Sequence, residues 1–532
     1  MRNYKRKSKK SRKFCQNKAT NKLRQKVRQI GGDKFGLLVV DSSKNNFAVK
    51  LADFYGEPLW EPDPIPNTKG RLEELPFKIR HQMKENQLQE LAVGIEITGR
   101  LHQPVKRILE KIWPVKMIHP FTTKQLRQPA SFGVKTDDVD LDAMIRAMIS
   151  GYGRDDCPLP ISYQKWQCLN RAREDLVKKR SEIKTQCQEH IQALMPGYSR
   201  LFKDFWSSET ALTIVTEYGS PEAILKETVE SIFKKLKQQH VRCLRRTLHR
   251  IYAWALEAPV HNQIQSFEHR ILCDYLKLIR TLSQQIHDYE KELLEYLVKT
   301  SGILLLSIAG VNIVSSSGYV SELGPIENYP TSRHISGRAG LFPSCYQSDE
   351  VNHRDGPIVK GHNARLRDAI LEIAFNILNH DNYFKAWAEL RKKQGWEDKK
   401  IIVAMGNRFT RFSFYMVADS QLFNHPKSRH SDPVLAKILR FCADHNMTPE
   451  STFKIAQEAV GHFPVAALDD EIKTLEAGQW RSSGSTHHYG LPRTSTIKQI
   501  AKHLPDFIGT IKAIQEERNH EDVKETNISI PS

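Results

Sequence analysis

From Phe35 the chain alternates short apolar runs with glycine, proline and charged residues, the pattern of strands interleaved with turns and helices. FGLLVVD reads as a strand ending at Asp41, NNFAVKLAD as its neighbour, and Gly56-Glu57-Pro58 as the turn into a third strand. A helix is expected over roughly 69–83, ELAVGIE forms a strand ending at Glu96, and a further helix follows from Leu101. VKMIHP is another strand, and a helix begins after Thr136. Three consecutive strands followed by alternating helices and strands make an α/β domain, an order compatible with a ribonuclease-H-like fold.

Residues 160–300 have a different texture: long charged helices with few glycines. Leu272, Tyr275, Ile279, Leu282, Ile286, Tyr289, Leu293 and Tyr296 recur at alternating spacings of three and four, a heptad seam that predicts a coiled coil or a long helical hairpin. An earlier helix is expected to start at Ser220-Pro221-Glu222 and to run to Ile251, carrying the basic run Arg242 to Arg250. After Thr300 a compact mixed region extends to about Val417, and a mostly helical tail with a Gly- and Ser-rich break at 482–489 follows. The expected fold class is α/β plus all-α. Its divisions are a basic disordered arm at 1–30, an α/β domain at 31–155, a helical or coiled-coil region at 156–300, a mostly helical domain at 301–420 and a helical extension at 421–532.

Composition narrows the partners. The 532 residues carry a formal net charge of +19, so polyanions are expected, each neutralised phosphate releasing condensed counterions. Residues 1–30 hold thirteen lysines and arginines and no acidic residue; such a block repels itself and stays disordered until it meets phosphates. The eight cysteines (Cys15, Cys157, Cys168, Cys187, Cys243, Cys273, Cys345, Cys442) form no C-x-x-C pair, which argues against a zinc module or a disulfide framework and fits a reducing cytoplasm. The longest apolar stretch, Ile303 to Val314, is too short to cross about 30 Å of hydrocarbon, so no membrane association is expected.

Candidate chemistry begins with carboxylates. Asp41 and Glu96 each close an apolar strand, so both emerge at strand ends if the two strands are neighbours. In KTDDVD, Asp137 and Asp140 stand three apart on one face of a helix whose start they stabilise through its dipole; Asp138 and Asp142 compete for the same roles. Converging carboxylates repel, and divalent metal is the natural relief: hard oxygens suit Mg²⁺, and two ions about 4 Å apart activate an attacking oxygen and stabilise a leaving one. D-S-S-K (Asp41 to Lys44), E-I-T-G-R-L-H (Glu96 to His102), His119-Pro120 and K-T-D-D-V-D (Lys135 to Asp140) resemble, in order and spacing, the N-terminal domain of DEDD insertion-sequence transposases, a domain similar to the RuvC resolvase. The resemblance implies Asp41, Glu96, Asp137 and Asp140 as a metal-binding catalytic tetrad. The motifs' Lys44, Arg100 and Lys135 are nucleic-acid-binding candidates.

The second half carries SIAGVNIVSS, SGRAGLFPSCYQSDE and GPIVKGHNARLRDAIL. Ile308-Ala309-Gly310-Val311 has the look of a tight helix-hairpin-helix turn able to offer backbone amides to phosphate. The blocks G-L-F-P-x-x-x-x-S, ending at Ser348, and I-x-K-x-H-N-x-x-L-R, from Ile358 to Arg367, resemble the C-terminal domain of the same family, which implies Ser348 as nucleophile. Ser344 is the fallback. A serine attacking phosphorus needs positive charge on the phosphoryl oxygens, and Lys360, Arg365 and Arg367, together with Asn363, are candidates to contact nucleic acid. The chain departs from the family pattern at Asp349, where a glycine is usual, and at His362-Asn363 in place of Gly-Asn.

The resemblance further implies DNA strand cleavage and rejoining on donor and target DNA. It implies guidance by a structured non-coding bridge RNA, assembly as a dimer or tetramer with sites composed between protomers, and a prokaryotic, nucleoid-associated setting. Two other classes compete: a metal-dependent junction resolvase or nuclease in which Ser348 is structural, and a non-catalytic nucleic-acid-binding protein.

Overall fold

The apolar alternation from Phe35 does build a sheet. The computed structural model describes residues 19–127, 136–156, 159–259, 265–344, 346–348, 351–353, 356, 358–359, 362–425, 427–428, 433–481 and 493–528. The chain divides into two compact units, 1–159 and 160–532.

In the first unit, helix α1 (Ala19–Ile30) precedes strands β1 (Phe35–Ser42), β2 (Asn46–Asp53), β3 (Pro58–Trp60) and β4 (Ile65–Pro66). Helix α2 (Lys69–Glu85), β5 (Glu90–Glu96), α3 (Gln103–Leu109), β6 (Val115–Ile118), α4 (Pro120–Leu126), α5 (Asp137–Ser150) and β7 (Arg154–Asp155) follow. The sheet order is β3-β2-β1-β5-β6-β7, with β4 on β2; β1, β5 and β6 run parallel, and β2 is antiparallel to β1. Both faces are covered, so the central strands are apolar throughout. Leu38, Val40, Val93 and Ile95 pack under α2 and α3, while Leu37, Val39 and Ala92 pack against Met144, Ile145 and Met148 of α5. Part of the basic arm is ordered: residues 19–30 are helical, because Leu23, Val27 and Ile30 recur along one face and lie against the sheet's α5 side. Residues 1–18 lie outside the described residues.

Among its described residues the second unit is mostly helical, with one two-stranded hairpin. Helix α6 (Ile161–Leu194) is followed by α7 (Glu209–Tyr218), α8 (Pro221–Leu225), α9 (Val229–Gln238), α10 (Arg245–Glu257) and α11 (Gln265–Leu297). The helix expected from Ser220 to Ile251 is therefore three. Thr228 caps a fresh start by accepting from the Ser231 amide at 3.2 Å, and His240 turns the chain at φ 60°. Arg242 thus sits in a loop, and Arg245 pairs with Glu230 at 3.2 Å. The heptad seam is buried within the chain: Leu272, Ile279, Leu282, Ile286 and Leu293 are inaccessible, and α11 packs along α6. Arg173 of α6 bonds Glu290 of α11 at 2.7 Å.

Helices α12 (Ile313–Leu323) and α13 (Ser332–Ala339), strands β8 (Tyr346–Ser348) and β9 (Val351–His353), and helices α14 (Ala364–His380), α15 (Asn382–Lys393) and α16 (Asp398–Ala418) come next. Helices α17 (Val434–Asp444), α18 (Pro449–Val460), α19 (Leu468–Glu476) and α20 (Arg493–Ile528) share the same apolar core. The turn at Ile308–Val311 packs against α14 and α17 of its own unit. Gly310, at φ 81°, lies so close to α14 that a Cβ would stand 2.7 Å from the Asn376 carbonyl oxygen. The carbonyls of Leu306, Ile308 and Val311 accept from Lys437 Nζ at 2.7, 3.2 and 2.9 Å. The turn thus offers oxygens to an internal lysine. Among the described residues no helix is long and apolar enough to cross a membrane. The Gly- and Ser-rich break at 482–489 lies outside the described residues.

Candidate active site

Strand register places the first two carboxylates. Val40 of β1 stands beside Ile95 of the parallel β5, so Asp41 and Glu96 are the next residues along neighbouring strands, at the same edge of the sheet. Because side chains alternate, and Val40 and Ile95 belong to the opposite core, Asp41 and Glu96 lie on the α5 side with Val39 and Ala92. Glu96 is buried at 7% exposure.

Helix α5 brings the aspartates. Thr136 caps it by accepting from the Val139 amide at 3.4 Å, Asp137, Asp138 and Asp140 fill its first turn, and Gly151 ends it at φ 80°. Asp140 is 4% exposed and accepts from Arg127 Nη2 at 2.9 Å, while Arg127 Nε reaches its other oxygen. The hydrogen bond to Asp140, then the charges of Asp140 and Glu96, push the guanidinium pKa up against its partial burial, so one cation neighbours both carboxylates. Asp137 is exposed.

The competing aspartates face elsewhere. Lys50 of β2 pairs with Asp138 at 3.0 Å and Asp142 at 2.7 Å, and also with Glu61. Burial pushes the ammonium down, but its hydrogen bonds to Asp142, Glu61 and Asp138 outweigh that and raise it. Asp138 and Asp142 therefore serve Lys50, whereas Asp140 lies beside Glu96's counter-charge. In this conformation, among the described residues, no three acidic, histidine or cysteine side chains are arranged to hold a metal ion. Sequence reasoning missed Lys50 and Arg127. Lys50 had a signal, a lone charge inside an apolar strand; Arg127 had none, since nothing local ties it to a residue thirteen positions on.

The remaining candidates of this unit are at its surface. Lys44 is exposed in the β1–β2 turn, and Arg100 is exposed before α3. His102 is buried, which pushes its pKa down, and His119 Nδ1 caps α4 by accepting from the Phe121 amide at 3.1 Å. Lys135 lies outside the described residues.

In the second unit, β8 and β9 form an antiparallel hairpin in which Ser348 pairs with Val351, so the backbone of Ser348 closes the first strand next to the turn. Ser344 packs so tightly on Gly356 that a Cβ there would stand 2.3 Å from its Oγ. Lys360 lies outside the described residues. Asn363 caps α14, accepting from the Leu366 amide at 3.1 Å, and its Nδ2 donates to Glu322 Oε2 at 3.2 Å. Arg365 bonds Glu174 at 2.6 Å, and Arg367 donates to the Val359 carbonyl at 3.3 Å. These three side chains thus brace the start of α14.

Residues 39–196 match the DEDD model of IS110-type transposases, and residues 303–389 match the model described as the IS116/IS110/IS902 transposase family. Two stretches of the chain thus resemble the IS110-type transposases, together covering less than half of it. It is similar to an uncharacterised 43.6 kDa protein of insertion element IS110 from Streptomyces coelicolor, 18% identical over 251 residues. That alignment covers 47% of this chain and 62% of the relative, so the chain spans about six-tenths of the relative's length.

Proposed function

We propose that the protein cuts and rejoins DNA strands as the transposase of an insertion sequence, guided by a structured non-coding RNA. The carboxylates would act from a ribonuclease-H-like, RuvC-like domain, and Ser348 would be the nucleophile. The observation that carries this reading is the register of β1 and β5, which sets Asp41 and Glu96 side by side at one sheet edge, on the face covered by α5.

The donor set suits a hard divalent cation: two buried carboxylates, Glu96 and Asp140, lie near one arginine and, with Asp41 at the neighbouring strand end, offer hard oxygens in one place. Asp41, Glu96, Asp140 and, from the exposed first turn of α5, Asp137 would hold Mg²⁺. When bound, it would supply positive charge to the oxygens that gain electrons as the phosphodiester breaks. Arg127 fixes the Asp140 carboxylate and limits repulsion with Glu96. In the second unit, Ser348 Oγ forms a bond to phosphorus as the bond to the departing strand oxygen breaks, and the serine proton ends on that oxygen. Attack by another strand's hydroxyl reverses the exchange, so no external nucleotide is needed. The net charge of +19 supports binding of both DNA and a guide RNA.

The test is a denaturing gel of end-labelled DNA after reaction with Mg²⁺ and no ATP. A protein-linked band is expected for the parent and is lost in Ser348→Ala. A band lost in Ser344→Ala instead would move the nucleophile, and cleavage without any adduct in the parent would leave the metal-only resolvase. RNA recovered with the protein at low salt tests the guide.

A further inference from the structure

The corner between α15 and α16 gathers cations on two tryptophans. Arg408 lies 4.1 Å from the Trp387 ring centroid; Arg391 lies 5.8 Å from Trp387 and 4.9 Å from Trp396; Lys400 lies 5.0 Å from Trp396. Arg411 is exposed on the same helix as Arg408. Among the described residues none of the three arginines has a carboxylate within ion-pair reach. Arg391 donates to Gln394 at 2.7 Å and Arg411 to the Asn407 carbonyl at 3.2 Å. Burial pushes the Arg408 pKa down, Tyr383 beside it pushes up, and the charges of Arg411 and Arg391 push down again with a net lowering, so like charges crowd here. Lys393 and Lys399 add exposed charge alongside, while Lys392 is paired with Asp398 at 2.7 Å.

Assembled like charges without a counter-ion cost free energy that an anion returns. The tryptophans pin the guanidinium groups, so less freedom is lost when their N–H forks meet a flat, bidentate acceptor such as phosphate. Cations already lie over both indole rings, so these rings are poorly placed to stack an unpaired base. The chemistry therefore favours a backbone over a single strand's bases.

We propose that the α15–α16 corner docks the sugar-phosphate backbone of duplex DNA without reading its sequence. The assignment rests on the DNA transposase reading above. The experiment measures binding of the full chain to a labelled duplex of unrelated sequence by fluorescence anisotropy across a salt series, without Mg²⁺. Replacing Arg391, Arg408 and Arg411 together with Gln should weaken binding equally for different sequences and lower the salt slope by roughly one per lost phosphate contact, about three in all. Because that variant removes stacking and could disturb the corner, a second replaces the exposed Lys393, Lys399 and Lys400 with Gln and should shift the slope in the same direction. An unchanged slope in both variants overturns the proposal. So does a loss confined to structured RNA, which would assign the corner to RNA instead. Binding is read without Mg²⁺ and without cleavage, so failure of the adduct test and failure of this test are separate results.

Discussion

Two buried carboxylates, each gripped by an arginine, have opposite surroundings. Glu322 of α12, 1% exposed, receives Arg171 at 2.8 and 3.0 Å and Asn363 at 3.2 Å. Its charge is matched inside a helical interior, and the three residues tie α6, α12 and the start of α14 together. Asp140, 4% exposed, also has a two-pronged arginine, but that arginine feels Glu96 as well. Two buried carboxylates thus lie near the same arginine at the strand ends. A matched pair ties helices together, and converging carboxylates are where an added cation would be held.

The comparison breaks first on stability. Glu322→Ala removes the buried acceptor shared by the half-exposed Arg171 and by Asn363 and should cost about 1–3 kcal/mol, read as a lowered urea midpoint at unchanged slope. A loss below about 1 kcal/mol would mean that the pair is no tie. Asp140→Asn keeps an amide oxygen as acceptor and leaves Arg127 beside the charge of Glu96, so the urea midpoint falls less than in Glu322→Ala, while strand cleavage falls on the order of a hundredfold, as expected when a metal or reacting group is misplaced by about 1 Å. Equal loss of stability in both variants would erase the distinction.

A smaller effect sharpens the structural side. Glu290 of α11 is buried, which pushes its carboxyl up, but the hydrogen bond from His445 and the charge of Arg173 outweigh burial and hold it at about 2. Its pKa is depressed on folding, so its contribution is present above the ordinary carboxylate range and is lost as pH falls from about 4.3 toward 2. Acid titration of the melting temperature should show this slope in the parent and a flatter one in Glu290→Gln; identical slopes would remove Glu290 as the cause.

How much was legible follows the same division. The strand ends at Asp41 and Glu96 could be read from apolar runs, because period-2 and continuous burial mark strands locally. Thr136 and the acidic first turn announced α5. Arg127, Arg171 and Glu174 were hidden, because each acts across a separation in sequence that no local pattern encodes, and Lys50 stood out in its strand while its partners did not. The heptad seam was visible, but a seam does not say which helix fills it; here α6 does, within the same chain. The expected helix through Ile251 failed at Thr228 and His240, where capping and a left-handed residue outweigh apolar spacing.

The central claim is that the sheet-edge carboxylates, and not the balanced interior pairs, form a cation site. Isothermal titration of Mg²⁺ into the full chain tests it most directly, comparing the parent with Asp41→Asn, Asp140→Asn and Glu322→Gln. The account predicts a binding isotherm in the parent and in Glu322→Gln, and its loss in the two aspartate variants; binding that survives Asp41→Asn and Asp140→Asn together would contradict it.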